Sequence, residues 1–148
     1  MARITDGSFY AKPQRSRMER VTELSDEELE RYVPVWCALA QLFLDTELQP
    51  ADFARIAAAI SKAGASVEEA EEILERDVAP AFTPNVLSVA GEWAGWSGEF
   101  VKERVLAHFN AGAAQRAIAR FRARQHRTLY GNAWKEVKKR LTQIQHAK

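Results

Sequence analysis

Cysteine is almost missing from these 148 residues; Cys37 stands alone. An intrachain disulfide and a cysteine-based zinc site are therefore both excluded. Long hydrophobic runs are missing too. Apolar residues make up 47% of the chain, yet no window approaches the roughly 18 apolar residues a membrane helix requires. The N-terminal segment holds Arg3, Lys12, Arg15, Arg17 and Arg20 but no apolar run of about seven or more, so a secretory leader is not expected there. A soluble cytoplasmic protein is the expectation, with delivery by specialised secretion left open. No glycine-rich phosphate loop, nucleophile elbow or kinase-type motif occurs. Sustained two-residue alternation is also lacking, which argues against strands.

What is present is a polarity of charge. The net charge is only +1, but residues 1–22 sum to +3, residues 23–109 to −11 and residues 110–148 to +9. Such asymmetry implies either partner surfaces of opposite sign or one half of the chain neutralising the other. The length predicts one domain, able to bury roughly 68–70% of its unfolded surface without covalent staples.

Residues 1–22 read as a basic arm, with Ile4, Phe9 and Tyr10 available to pin it to the body. Ser25-Asp26-Glu27-Glu28 is a capping box, because the Ser25 hydroxyl and the Glu28 side chain can each satisfy the other's amide. Leu29, Tyr32, Val33, Trp36, Ala40, Phe43 and Leu44 follow at helical spacing. Pro34 interrupts them: either the helix kinks there, or Glu30 to Val33 is a separate turn and a fresh helix starts at Pro34, the second being the expected outcome. Asp45 to Pro50 is a polar break. Phe53, Ile56, Ala57 and Ile60 make the next buried stripe, and Gly64 suits a helix C-terminus. Ser66-Val67-Glu68-Glu69 is a second capping box, opening a helix that Pro80 is expected to end. Pro84 to Gly98 reads as a hinge rich in glycine and tryptophan, after which Ser97 caps a helix through Val101, Val105 and Phe109. Gly112 is a weak point where that helix bends or continues at a cost of about 1 kcal/mol. Ala114, Ala117, Ile118 and Phe121 share one helical face. Tyr130-Gly131-Asn132 reads as a turn. Trp134, Val137, Leu141 and Ile144 then form a three–four seam able to dock on another surface. The fold class expected is all-α, a bundle of about six or seven helices over residues 23–148.

Several strings together, Leu42-Phe43-Leu44-Asp45-Thr46-Glu47-Leu48, Ala79-Pro80, Pro84-Asn85 and Ser88-Val89-Ala90-Gly91-Glu92-Trp93-Ala94-Gly95-Trp96, resemble an uncharacterised bacterial family of small helical proteins, a domain of unknown function. The resemblance covers about residues 33–106. It implies a helical domain and a bacterial source, and it assigns no catalytic residue. It leaves the basic arm and the basic C-terminal region outside, as features that would specialise this member.

Few residues carry candidate chemistry. Asp45, Glu47 and Glu92 sit in breaks, where they can hold a hard cation or serve as caps and acceptors for loop amides; the second role is the expected one. With Trp93 and Trp96 they form a loop signature. His108, His126 and His146 are scattered, without a second ligand at helical spacing, and Cys37 lies beside Trp36 on the apolar stripe as an inert thiol. No metal, cofactor or catalytic set is predicted. The strongest signal is a run of guanidinium groups, Arg116, Arg120, Arg124 and Arg127, along about 16 Å of helix. Together with Lys135, Lys138 and Lys139, and with His126 and Tyr130 as supporting aromatics, they can bridge phosphates. No reader motif for bases accompanies them. Glu68, Glu69, Glu71, Glu72 and Glu75 form an acidic face that can meet a basic partner, or else pack against the arginines.

These observations favour a non-catalytic protein-interaction module, in concrete form an immunity or inhibitor protein that masks a basic bacterial toxin. The alternatives are a protein that binds a nucleic-acid backbone through the arginine stripe, and a helical subunit that docks through the Trp134–Ile144 seam.

Overall fold

A computed structural model describes residues 25–44, 47–86 and 97–147. The basic arm, Asp45, most of the hinge with Glu92, Trp93 and Trp96, and the terminal Lys148 lie outside the described residues. The described chain is all-α. Helices run over Asp26–Ala40 (α1), Pro50–Lys62 (α2), Val67–Ile73 (α3), Ala79–Val86 (α4), Gly98–Asn110 (α5), Ala113–Gln125 (α6) and Thr128–His146 (α7), with no strand among the described residues.

The helix starts are built as their sequences require. Ser25 N donates to Glu28 Oε1 and Glu28 N to Ser25 Oγ, both at 3.1 Å. The same reciprocal bonds close Ser66 and Glu69 at 2.9 and 3.1 Å, and Phe100 N donates to Ser97 Oγ at 3.1 Å. A further box joins Gln49 to Asp52, with Gln49 N donating to Asp52 Oδ2 at 2.8 Å. The Gln49 amide bond, and then the Arg55 guanidinium, hold the Asp52 carboxyl below the usual carboxylate range. Gly64 ends the second helix at φ +92°, a left-handed conformation that costs glycine little.

Local expectations fail at Pro34, Pro80, Pro84 and Tyr130-Gly131-Asn132; the hinge does not begin at Pro84, since α4 runs through it to Val86. Pro34 does not start a helix: α1 runs through it from Asp26. The capping box at Ser25 and the buried stripe of Tyr32, Val35, Trp36 and Leu39 outweigh one lost backbone bond. Pro80 does not end a helix either. Residues Leu74–Val78 form a π turn in which Ala79 N donates to Leu74 O, and α4 follows without a break. The wider turn adapts the backbone just ahead of a proline that has no N–H to give. Tyr130-Gly131-Asn132 is helical, since the reversal falls earlier, at His126 and Arg127, and α7 begins at Thr128. Gly112 is the N-cap of α6, so α5 and α6 are separate helices there.

One core cluster joins these elements, with Trp36, Phe43, Phe82, Ile56, Ile60 and Leu141 among its largest fully buried side chains. Helix α7 packs on α2, α5 on α1, and α6 on α4 and the π turn. Phe43 is the aromatic junction, 5.1 Å from the Tyr130 ring and 6.2 Å from Phe82 between centroids. Trp134, Val137 and Leu141 are buried, with Ile144 partly buried behind them. The seam expected to dock outward is therefore the inner face of α7, spent on α2 of the same chain. Gln145 Nε2 closes this contact by donating to Ala65 O at 2.9 Å.

Candidate functional site

The arginine stripe of α6 lies along the π turn, with Arg116 and Arg120 half-buried and Arg124 and Arg127 exposed. Arg116, Arg120, Arg124 and Arg127, together with Arg76, Glu75, Ala123 and Tyr130, line a cavity of about 570 Å³. Its formation follows from local structure. Steps of four residues return Arg116, Arg120 and Arg124 to one side of α6, each about 6 Å further along the axis, and Arg127 follows in the turn after it. Ala123, with its small side chain, is buried and lets α6 approach the helix beneath it. The π turn carries Glu75 and Arg76 to the opposite wall.

Three of these arginines sit in distinct settings. Arg116 Nη1 donates to the carbonyls of Phe109 and Ala111, acceptors that the end of α5 leaves without helical partners. Arg127 Nη2 donates to Glu75 Oε2 and joins the α6–α7 corner to the π turn. Arg124 is exposed on the rim. Tyr130 is buried beneath, and that burial pushes its phenol pKa up. The described lining holds five arginines and one carboxylate; Arg127 pairs with Glu75, and Arg76 pairs with Glu72 just outside the lining. Guanidinium groups stay protonated, offer planar donor forks, and match phosphate or carboxylate oxygens in pairs.

The lysines expected beside them are elsewhere. Lys138 Nζ donates to Glu71 Oε1 at 2.9 Å, Lys139 lies 3.8 Å from Glu136, and Lys135 is exposed further along α7. Glu136 is drawn below the usual carboxylate range chiefly by its bond from Arg140. Of the two supporting aromatics, Tyr130 lines the cavity and His126 ends α6.

The acidic face is largely consumed within the chain. Glu69 closes its capping box, Glu71 takes Lys138 and a long bond from Trp134 Nε1 at 3.4 Å, Glu72 pairs with Arg76 at 2.8 Å, and Glu75 takes Arg127. Glu68 is the one of these five that is exposed. The negative and positive parts of the chain meet and nearly cancel, and the cationic excess is local to the lining of the cavity. Of the other candidates, Glu47 is exposed, His108 is buried against Phe109, and His146 is exposed. Cys37 is half-buried, and burial raises its thiol pKa. Among the described residues no group of three or more His, Cys, Asp or Glu side chains is placed to hold a metal ion, and no helix is long and apolar enough to cross a membrane.

Arg76 was not foreseen as part of the site. Its signal in the sequence was Pro80 four residues later, read as a helix end when it marks a π turn.

The model of a family described as a domain of unknown function, DUF7079, matches residues 30–140. The chain belongs to that family. The match reaches beyond residue 106 and takes in α6 and most of α7, so the arginine cavity lies inside the DUF7079 domain and not in an appended region. No curated protein and no solved structure matches the chain.

Proposed function

We propose that this DUF7079 protein is a non-catalytic binding protein that takes the phosphate groups of a nucleic-acid backbone into the cavity between α6 and the π turn. One observation carries the reading: five arginines and a single carboxylate converge on one concave surface. Phosphate contacts of this kind position a polyanion and carry no base sequence. The same lining supports the non-catalytic reading. Arginine does not exchange a proton near neutral pH, Glu75 is held in an ion pair, and Tyr130 is shifted upward by burial. The setting we propose is the bacterial cytoplasm.

The test is a titration of labelled single- and double-stranded oligonucleotides, read by anisotropy at low and moderate salt. Binding that weakens steeply with salt and is lost on Arg120→Ala with Arg124→Ala supports the reading. No binding at ~50 mM salt, where backbone contacts are strong, rejects it. A free phosphorylated small molecule shares this chemistry, and competition by inorganic phosphate or a nucleotide separates the two sources.

A protein partner is the second reading, favoured by the exposure of Ile118 and Phe121 at 57% and 58%. In its toxin-masking form it would rely on the glutamates around α3, four of which are engaged within the chain. An apolar surface bordered by arginines suits an acidic partner better.

A further inference from the structure

Helix α6 has two working sides. One lines the cavity. On the other, Ile118 and Phe121 lie about 60° apart around the axis, at about 100° per residue. Both are more than half exposed, at 57% and 58%, and Arg122 and Arg124 beside them are exposed as well. Among the 13 residues of α6 only Ala123 is buried. A ridge of large apolar side chains in water, bordered by fixed positive charge, is a surface suited to contact.

The matching surface is on the same molecule. Between α1 and the start of α5 lies a groove of about 540 Å³ with Leu29, Val33 and Pro34 on its apolar wall. Among the described residues, Asp26, Glu30 and Glu99 surround it, with Lys102 the one lining residue of opposite sign. All three acids are exposed. The ridge is apolar with a cationic border, and the groove is apolar with an anionic one.

We propose that the chain associates head to tail with a second copy of itself, the Ile118–Phe121 ridge of one copy entering the α1–α5 groove of the next. Charge selects this arrangement. Ridge against ridge would set arginines against arginines, and groove against groove would set carboxylates against carboxylates. Only the heterologous pairing matches apolar to apolar and cation to anion. The ridge belongs to a helix packed on α4 and the π turn, whereas the groove lies between α1 and α5. Each copy therefore presents both surfaces, and the contact propagates to a ring or an open chain. Arg124 borders both the ridge and the cavity, but the contact rests on Ile118, Phe121 and the carboxylates of the groove, so self-association is tested without reference to phosphate binding.

Sedimentation velocity of the full chain from micromolar to millimolar concentration tests it, at ~0.01 M and ~1 M salt, where the screening length falls from about 30 to about 3 Å. The expected result is an average mass that rises with concentration at low salt and rises less at high salt. A ridge variant, Ile118→Asp with Phe121→Asp, and a groove variant, Glu30→Lys with Glu99→Lys, are each expected to stay monomeric. All four positions are exposed, and circular dichroism verifies that the variants are folded. Mixed in equal amounts, the two variants retain one intact ridge and one intact groove, and they are expected to form a dimer and nothing larger. A wild-type chain that is monomeric at every concentration overturns the proposal. So does a variant that assembles like the wild type, or a mixture that remains monomeric.

Discussion

The carboxylate of Glu71 accepts a hydrogen bond from Lys138 at 2.9 Å across 67 positions of sequence. This contact, with the Arg127–Glu75 pair beside it, is where the negative centre of the chain meets its positive end. It explains why a sum of −11 over residues 23–109 and +9 over residues 110–148 does not produce two bare surfaces.

Acid should weaken that junction. The Lys138 bond holds the Glu71 carboxyl below its ordinary value of 4.5. The folded chain thus takes up this proton less readily than the unfolded chain. The resulting stability is fully present above pH 4.5 and is lost as the pH falls through the lower folded value. Both side chains are partly exposed, at 47% and 30%, so about 0.5–1 kcal/mol is expected from the pair. Urea unfolding of wild type and Glu71→Gln should differ by that amount near neutral pH and converge in strong acid. A constant difference at every pH would contradict the assignment.

Pro34 predicts a gain. It lies within α1 and is exposed, and its nitrogen cannot donate to the Glu30 carbonyl one turn earlier. A proline in a helix interior costs about 3 kcal/mol, and its stiffening of the unfolded chain returns at most about 1 kcal/mol. Pro34→Ala should therefore stabilise the protein by about 1–2 kcal/mol, visible as a rise in Tm. A fall in Tm would mean that the ring supplies packing that outweighs the missing bond.

Much of the fold was legible because capping chemistry is local. Ser25, Ser66, Ser97 and Gly64 were each readable from two or three neighbours, as were the stripes at Phe53–Ile60 and Trp134–Ile144. What misled were the prolines and one glycine. Pro34, Pro80 and Gly131 are helix breakers by propensity, but each sits where buried neighbours on both sides keep the backbone helical, and that support is non-local. The arginine stripe was legible as a stripe and not as a cavity. Its second wall, Glu75 and Arg76, comes from a π turn some forty positions earlier in the chain. Buried Asp77 within that turn carried no signal either, since it follows a run of surface charges.

Thr83 offers a sharper test of the core. It is 1% exposed, and its hydroxyl has no hydrogen-bond partner among the described residues. A buried donor without a partner costs about 1–3 kcal/mol, and an apolar group of the same shape removes that cost. Thr83→Val keeps the branched shape and should be neutral or stabilising by up to about 1 kcal/mol in denaturant unfolding. Destabilisation beyond that would show that the hydroxyl is satisfied by groups outside the described residues.

The two phenylalanines Phe82 and Phe121 should respond oppositely. Phe82 is fully buried, near Phe43 and under the Arg104 guanidinium, so Phe82→Ala should cost about 3–5 kcal/mol. Phe121 is 58% exposed, and Phe121→Ala should change monomer stability by no more than about 0.5 kcal/mol. A large loss at Phe121 would place it in the core of this copy and remove the ridge.

Arg116 and Arg124 separate folding from binding within one cavity. Arg116 holds the carbonyls of Phe109 and Ala111 at the end of α5, so Arg116→Ala should lower stability by about 1 kcal/mol. Arg124 is exposed on the rim, and Arg124→Ala should leave unfolding within about 0.5 kcal/mol of wild type. Binding should rank them differently. If Arg124 neutralises one phosphate, its removal should reduce the slope of log K against log salt by about 0.7 for a single strand or about 0.9 for a duplex. Weaker affinity with an unchanged slope would mean that Arg124 shapes the cavity without touching phosphate. An unchanged slope and unchanged affinity would move the polyanion away from Arg124. Oligonucleotide titrations at four or five salt concentrations, run beside unfolding curves for the same variants, distinguish these outcomes because the charge effect depends on salt and the helix-end effect does not.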